Sequence, residues 1–308
     1  MGARWAVSKS FKSILIIADI EGSSGCWSYT ASSFLTKQWC YACVEMTRDV
    51  DMVVAALFDV GVKHVIVQDF HRTGYNLLRE RIDPRAEIRS GYRRGPVPGI
   101  GNPGNTEAVM FLGMHAASGT DGFLPHTLTS RINWLEVNGR PLTEVELFAA
   151  SVAPYGLSPI FFSGCPVACA QATEVIAGID VYPIHKTGER QNFDLISWRH
   201  GLAKAAAQSL TNVTTKPYVP RGPFKATVTM RDGVDAAQKI ALRWGFDHEG
   251  DRVFLQTHTI HQLYIDLIRF CYLTPFIEKV LSYTLVWHRV VGRLGLAAVR
   301  LTASRTKT

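Results

Sequence analysis

No apolar run in this chain of 308 residues approaches the roughly 20 residues that a membrane-spanning helix needs. The longest, such as Ile14–Ala18 and Val109–Leu112, are of strand length. A secretory leader is also missing from the expectation. The basic opening MGARWAVSKSFKS meets Asp19 and Glu21 before an apolar core of signal-peptide length can form. Residue 6 is Ala6, where a myristoylation signal wants Ser or Thr. A cytoplasmic protein is therefore expected. Charge of one sign is scarce outside the tail. From Glu278 onward six Lys or Arg face one acid, which leaves only about +2 of the formal +7 for the rest of the chain. That is too little to argue for a nucleic-acid partner. Cysteine is sparse as well: Cys26, Cys40, Cys43, Cys165, Cys169 and Cys271. Cys40-x-x-Cys43 has metal or redox spacing, but no second pair exists to complete a zinc knuckle. It lies in the apolar, helix-like run WCYACVEM, so buried reduced thiols are expected. There is no internal repeat and no low-complexity segment. A chain that is 47% hydrophobic and 19% charged can bury a sizeable core, which excludes disorder.

What is present is an alternation of short β-branched runs with helix-like segments, the pattern of parallel βαβ units. Ile14–Ala18, Lys63–Gln68, Val109–Leu112 and Leu157–Phe162 read as strands, with a helix over Leu35–Leu57. Arg131–Asn138 alternates and ends at Asn138-Gly139, which predicts a hairpin beside the parallel strands. Thr143-x-x-Glu146 reads as a capping box opening a helix. Gly164–Ala177 suggests a strand-to-helix turn and a helix, and 195–210 a further one. Polar, proline-rich Thr211–Pro223 marks a loose boundary. Phe224–Met230 reads as a strand, Thr257–Tyr272 as an apolar helix, and helical sequence resumes at Pro275.

Side chains that ligate metals recur immediately after these strands. Asp19-Ile20-Glu21-Gly22 follows ILIIA, Asp69-Phe70-His71 follows VIVQ, and Met114-His115 follows VMFLG. Residues two apart on an extended chain share a face, so Asp19 and Glu21 can aim at one spot. The carboxyl ends of parallel strands form one edge, where ligands bind in open α/β sheets. Three strand ends thus bring Asp19, Glu21, His71 and His115 toward one crevice. The mixture of carboxylates and imidazoles suits zinc, with manganese or cobalt as substitutes. One bridging carboxylate with an imidazole for each ion fits two metals roughly 3.5–4 Å apart. Taken singly, an Asp after a strand is more often a turn or cap, and a lone His more often packed. The joint recurrence is what carries the reading.

The motifs ADIEGSSG (18–25), QDFHRTGYN (68–76), FLGMHA (111–116), PHTL (125–128) and NGRPLTE (138–144) occur in order. As a set they resemble the zinc-dependent D-aminopeptidases of the DppA type, from about Ser13 to about Leu273. The resemblance implies a bridging carboxylate at Asp19, ligands at Glu21, His71, His115 and Glu144, and a non-ligand catalytic histidine at His126. It implies, more weakly, a substrate-side lysine at Lys186. Glu146 is the rival of Glu144, but the capping box accounts for Glu146. His126 is open to two roles, acid–base group or nucleophile.

The resemblance further implies two zinc ions, a three-layer α/β core with the site at the carboxyl ends of a mostly parallel sheet, and ring-like homo-oligomers. The implied activity is release of N-terminal D-residues from short peptides. One departure concerns substrate: where the family has Gly followed by two acids, this chain reads Gly164-Cys165-Pro166. The alternative expectation is therefore a metal-dependent amidohydrolase acting on a non-peptide amide. A catalytic part over 13–215, a smaller α+β part over 216–274 and a basic helical extension over 275–308 are expected. In that extension Arg289, Arg293 and Arg300 share a helix face near Trp287, Val290, Leu294 and Leu301. The expectation is a helix packed on the protein's own body or on a neighbouring subunit, rather than on a membrane.

Overall fold

The computed structural model describes residues 10–305. Residues 1–9, the first part of the basic opening on which the leader expectation drew, and residues 306–308 of the tail lie outside that range.

Six strands form one parallel sheet: Ser13–Ala18 (β1), His64–Asp69 (β2), Glu87–Arg89 (β3), Ala108–Met114 (β4), and two introduced below. Ile132–Val137 (β5) and Arg140–Pro141 (β6) belong elsewhere. Ser158–Gly164 (β7) and Asp180–Pro183 (β8) complete the order β3-β2-β1-β4-β7-β8. The four central strands β2, β1, β4 and β7 are buried along nearly their whole length, as strands covered on both faces are, whereas the edge strands β3 and β8 are more polar and more exposed. Their pleat sorts the side chains: Ile14, Ile16 and Ala18 enter one core, Leu15 and Ile17 the other.

The first core is closed by Lys37–Asp59 (α2), which follows the short Tyr29–Ser32 (α1), and by Leu195–Ser209 (α5). The second is closed by Glu144–Val152 (α3), Pro166–Val175 (α4) and Ile260–Tyr272 (α7). Val234–Trp244 (α6) joins them from a second sheet, which adds Phe224–Met230 (β9), Asp247–Glu249 (β10) and Arg252–Thr257 (β11). That sheet is antiparallel, in the order β10-β11-β9-β5-β6. It draws β5 and β6 from before residue 215 and β9–β11 from after it. The α/β, mostly parallel architecture with an antiparallel part is thus as expected.

Two details differ. The Asn138-Gly139 turn does join a hairpin, but β5 pairs with β9 and stands in the antiparallel sheet, not beside the parallel strands. Its alternation, with Ile132, Leu135 and Val137 buried among more exposed neighbours, suits a sheet with one face toward the core. The apolar helix begins at Ile260 with Thr259 as its N-cap, because Thr257 still belongs to β11 and the chain bends at 258–259.

The tail forms Pro275–Lys279 (α8) and Leu281–Arg305 (α9), the latter packed along α2. Gly292 and Gly295, which weaken an isolated helix, are where α9 approaches most closely. A Cβ at Gly292 would stand 2.3 Å from Tyr75, and one at Gly295 would stand 2.4 Å from Phe34. Leu296 and Val299 are buried on the same side.

Register sets the functional edge. Ala18 lies opposite Asp69 on one side and Leu112 on the other, so β1, β2 and β4 end side by side.

Candidate metal centre

Each site residue leaves its strand through a loop with its own brace. The Asp19 N–H donates to the Leu112 carbonyl (2.8 Å), and the Gly22 N–H donates to the Gly113 carbonyl (2.7 Å). This contact leaves no room for a side chain. A Cβ on Gly113 would stand 2.2 Å from the Asp19 carbonyl oxygen, and one on Gly22 would stand 2.3 Å from that of Met114. Gly113 also has φ +72°, a left-handed backbone that favours glycine. The glycines of ADIEG and FLGMH thus allow the Asp19 loop to lie against the end of β4, beside His115.

The His71 loop is tied by Asp69. Its carboxylate accepts from the backbone N–H of Asn76 (2.5 Å) and Leu77 (2.9 Å) and from the Asn76 side-chain amide (2.7 Å). The same amide donates to the His71 carbonyl at 2.7 Å. Behind Glu21, buried Arg199 donates to Asp49 (2.7 Å), Glu45 (2.8 Å) and Ser24 Oγ (3.0 Å), fixing the 22–25 turn to α2 and α5. Asp69, Asn76, Asp49 and Arg199 hold the loops rather than facing the centre. Asp69 and Asn76 carried a signal in the sequence, as members of the motif QDFHRTGYN, whereas Asp49 and Arg199 carried none. The Arg199 network joins residues about 150 positions apart, as Asp49 and Arg199 show.

The expected ligands converge. Asp19 Oδ1 lies 3.2 Å from His71 Nδ1, and Oδ2 lies 3.4 Å from His115 Nε2. Glu21 Oε2 is 3.1 Å from His71 Nδ1, and Glu144 Oε1 is 3.5 Å from His115 Nε2. Two groups of donor atoms result, each within 4.8 Å: Asp19, Glu21 and His71, then His115, His126 and Glu144. His126, expected as a non-ligand, stacks on His115 with ring centroids 3.7 Å apart and planes 13° apart. It is partly exposed, whereas the five other residues are buried. Thr143 caps α3 and Glu146 closes the capping box, also accepting from Arg140 and Tyr218. Glu144, in the first turn, faces the centre and accepts the Leu128 N–H at 2.7 Å. Lys186 Nζ donates to the carbonyls of Glu21 and Cys26 and lies 4.4 Å from the centre of the Phe123 ring. Burial lowers its pKa to about 8.

The hydrogen bonds show what this donor set requires. His71 Nε2 faces the Ser32 carbonyl (2.9 Å), and His115 Nδ1 faces that of Ala116 (3.1 Å). A carbonyl only accepts, so those nitrogens carry the protons. Each neutral ring then turns a lone pair toward carboxylate oxygens, an arrangement that calls for a cation between them. Glu21 Oε2 is buried without a hydrogen bond. No Lys or Arg side chain pairs with the three carboxylates among the described residues. Burying an uncompensated carboxylate costs several kcal/mol.

Without metal, protons answer the same demand. Burial opposes charging His115, but Glu144, Asp19 and Glu21 outweigh it and lift the imidazole to about 10. His71 rises well above the usual histidine range against the same opposition, chiefly through Glu21. Burial, reinforced by Glu21, pushes Asp19 up to about 7. His126 moves the other way: burial and then the His115 charge hold it below the usual range. Its Nδ1 faces the Leu124 carbonyl at 2.9 Å, so its proton is placed there and Nε2 is the basic atom. The donor chemistry fits zinc-type ions.

All six cysteines are free. Cys165, where the resemblance has an acid, accepts the Phe123 N–H at 3.4 Å and backs the loop that carries His126.

A model of the D-aminopeptidase family matches residues 13–266. The curated D-aminopeptidase of Bacillus subtilis (strain 168) is 26% identical over 179 residues. That alignment covers 58% of this chain and 65% of the relative, a little under two thirds of its length. A solved structure described as the Zn-dependent D-aminopeptidase DppA from Bacillus subtilis, a self-compartmentalizing protease, superposes with a TM-score of 0.75 at 22% identity. It covers 83% of this chain and 96% of that one, and at such identity the likeness is one of fold.

Proposed function

The chain belongs to the D-aminopeptidase family, and from that premise we propose that it is a dinuclear-zinc hydrolase releasing N-terminal D-residues from short peptides. The observation that carries this reading is the Asp19 carboxylate, whose two oxygens face two different histidines, His71 and His115. Glu21 and His71 would hold one ion, His115 and Glu144 the other, with Asp19 shared. Bound there, the ions supply a water of near-neutral pKa and polarise the scissile carbonyl.

The chain's own residues do the rest. The carbonyls of Ser32 and Ala116 keep His71 and His115 in the ligating tautomer. His126 is assigned as the acid–base group: its neutral ring, with Nδ1–H held by the Leu124 carbonyl, takes up at Nε2 the proton released by the attacking water and hands that proton to the leaving amine. Lys186 donates to the Glu21 and Cys26 carbonyls and lies beside Phe123, and it is assigned to the substrate side of the centre. The family likeness supports a homo-oligomer, and the six free thiols suit a reducing, cytoplasmic setting. No helix among the described residues is long and apolar enough to cross a membrane.

A second reading, an amidohydrolase for a non-peptide amide, draws on Cys165 at a position where the family resemblance has an acid. A panel of D- and L-aminoacyl amides and D-dipeptides separates the two. Chelator-sensitive turnover of the D-series, restored by zinc or cobalt, supports the peptidase. Metal-dependent turnover of none of them, with a non-peptide amide cleaved, supports the second reading.

A further inference from the structure

The family match ends inside α7, so α9 belongs to none of the machinery above. Its inward face packs on the body through Gly292, Gly295, Leu296 and Val299. The residues expected to supply apolar packing are on the opposite side. Tyr283, Val286, Trp287, Val290 and Leu294 recur at the spacing of one helix face, and all are exposed. Tyr283 is 79%, Trp287 68% and Leu294 67% exposed. Packing on the body therefore explains one face of this helix and leaves an apolar stripe pointing outward.

The flank of that stripe is basic. Arg289 and Arg293, both exposed, lie one turn apart, and neither guanidinium makes an ion pair or hydrogen bond among the described residues. With Arg93, His288, Ser90 and Tyr92 they line a cavity of about 220 Å³ between α9 and the 90–93 loop. No Asp or Glu occurs anywhere on α9. A second copy meeting this face with its own α9 would bring more arginine and no carboxylate.

We propose that α9 docks the protein on an anionic phospholipid surface, lying in the plane of the interface. Trp287 and Tyr283 have the amphipathic rings that favour the headgroup level, and Val286, Val290 and Leu294 enter the acyl boundary. Arg289 and Arg293 reach headgroup phosphates, with the adjoining cavity as the polar recess for one of them. The helix rests on the bilayer rather than spanning it.

Cosedimentation of the full-length protein with vesicles tests this. One set is phosphatidylcholine alone, and the other carries about one third phosphatidylserine or phosphatidylglycerol. Binding is expected to the anionic set only and to weaken as salt is raised. Arg289→Gln with Arg293→Gln should weaken it about 30-fold. Trp287→Ser with Leu294→Ser should weaken it at least as much, with amide turnover unchanged because these side chains point outward and are exposed. Equal binding to both vesicle sets, or anionic binding that neither pair of substitutions changes, overturns the proposal. So does absence of vesicle binding. If the Trp287→Ser, Leu294→Ser protein then also shows a smaller assembly by sedimentation velocity, the stripe is an interface between copies.

Discussion

The two halves of the candidate metal centre are built from the same chemistry in different proportions. Asp19, Glu21 and His71 set two carboxylates against one imidazole, all buried on loops after β1 and β2. His115, His126 and Glu144 set two imidazoles against one carboxylate, and His126 is partly exposed on the loop between β4 and β5. The first half has the greater negative charge and the more elaborate bracing, through Asp69, Asn76 and the Arg199 network. It is suited to retaining an ion. The second half has a basic nitrogen to spare and an opening, so it is suited to handling a proton and a substrate. Asp19 belongs to both, through one oxygen each.

Substitutions should separate these roles. Asp19→Ala removes the shared carboxylate, and turnover should fall to background with more than about a 100-fold loss of metal affinity, beyond what changes outside the ligand set cost. Metal titration and activity check this together. If Asp19→Ala keeps both ions, the halves are independent and the bridging assignment fails. His126→Ala should keep the metal content and lower kcat by about 10²–10⁴-fold. Metal loss as complete as for Asp19→Ala would make His126 a ligand, and the second half would then resemble the first.

Smaller effects distinguish neighbours on α3. Glu144→Gln should weaken the second-half ion by about 10–100-fold while leaving the first-half ion in place. Glu146→Gln can still close the capping box and loses mainly its charge toward half-exposed Arg140. It should cost under about 1 kcal/mol in unfolding experiments and leave metal affinity alone. The reverse ranking in metal titrations would put Glu146 in the site.

These contrasts also explain what a single sequence can reveal. Asp19, Glu21, His71 and His115 were legible because parallel strands end on one edge, and the sequence shows where each strand stops. Glu144 and His126 come from a loop and a helix start with no such geometric rule, so only the family motifs pointed to them. The capping box was legible because it is local, spanning Thr143 to Glu146. The hairpin was placed in the wrong sheet because alternation reveals a one-sided strand but not its partner, and β9 lies almost 90 residues further on. The short edge strands β3 and β8, and the β11 strand ahead of α7, gave too little pattern to read. On α9 the apolar residues were recognised, but their direction depends on Gly292 and Gly295 fitting against Tyr75 and Phe34.

Metal content measured against turnover during stepwise chelation is the most direct test. The account predicts two zinc-type ions per chain as purified, with D-aminoacyl amide turnover falling as they are removed and returning as zinc or cobalt is restored. A protein that binds no metal, or whose turnover survives chelation intact, would contradict it.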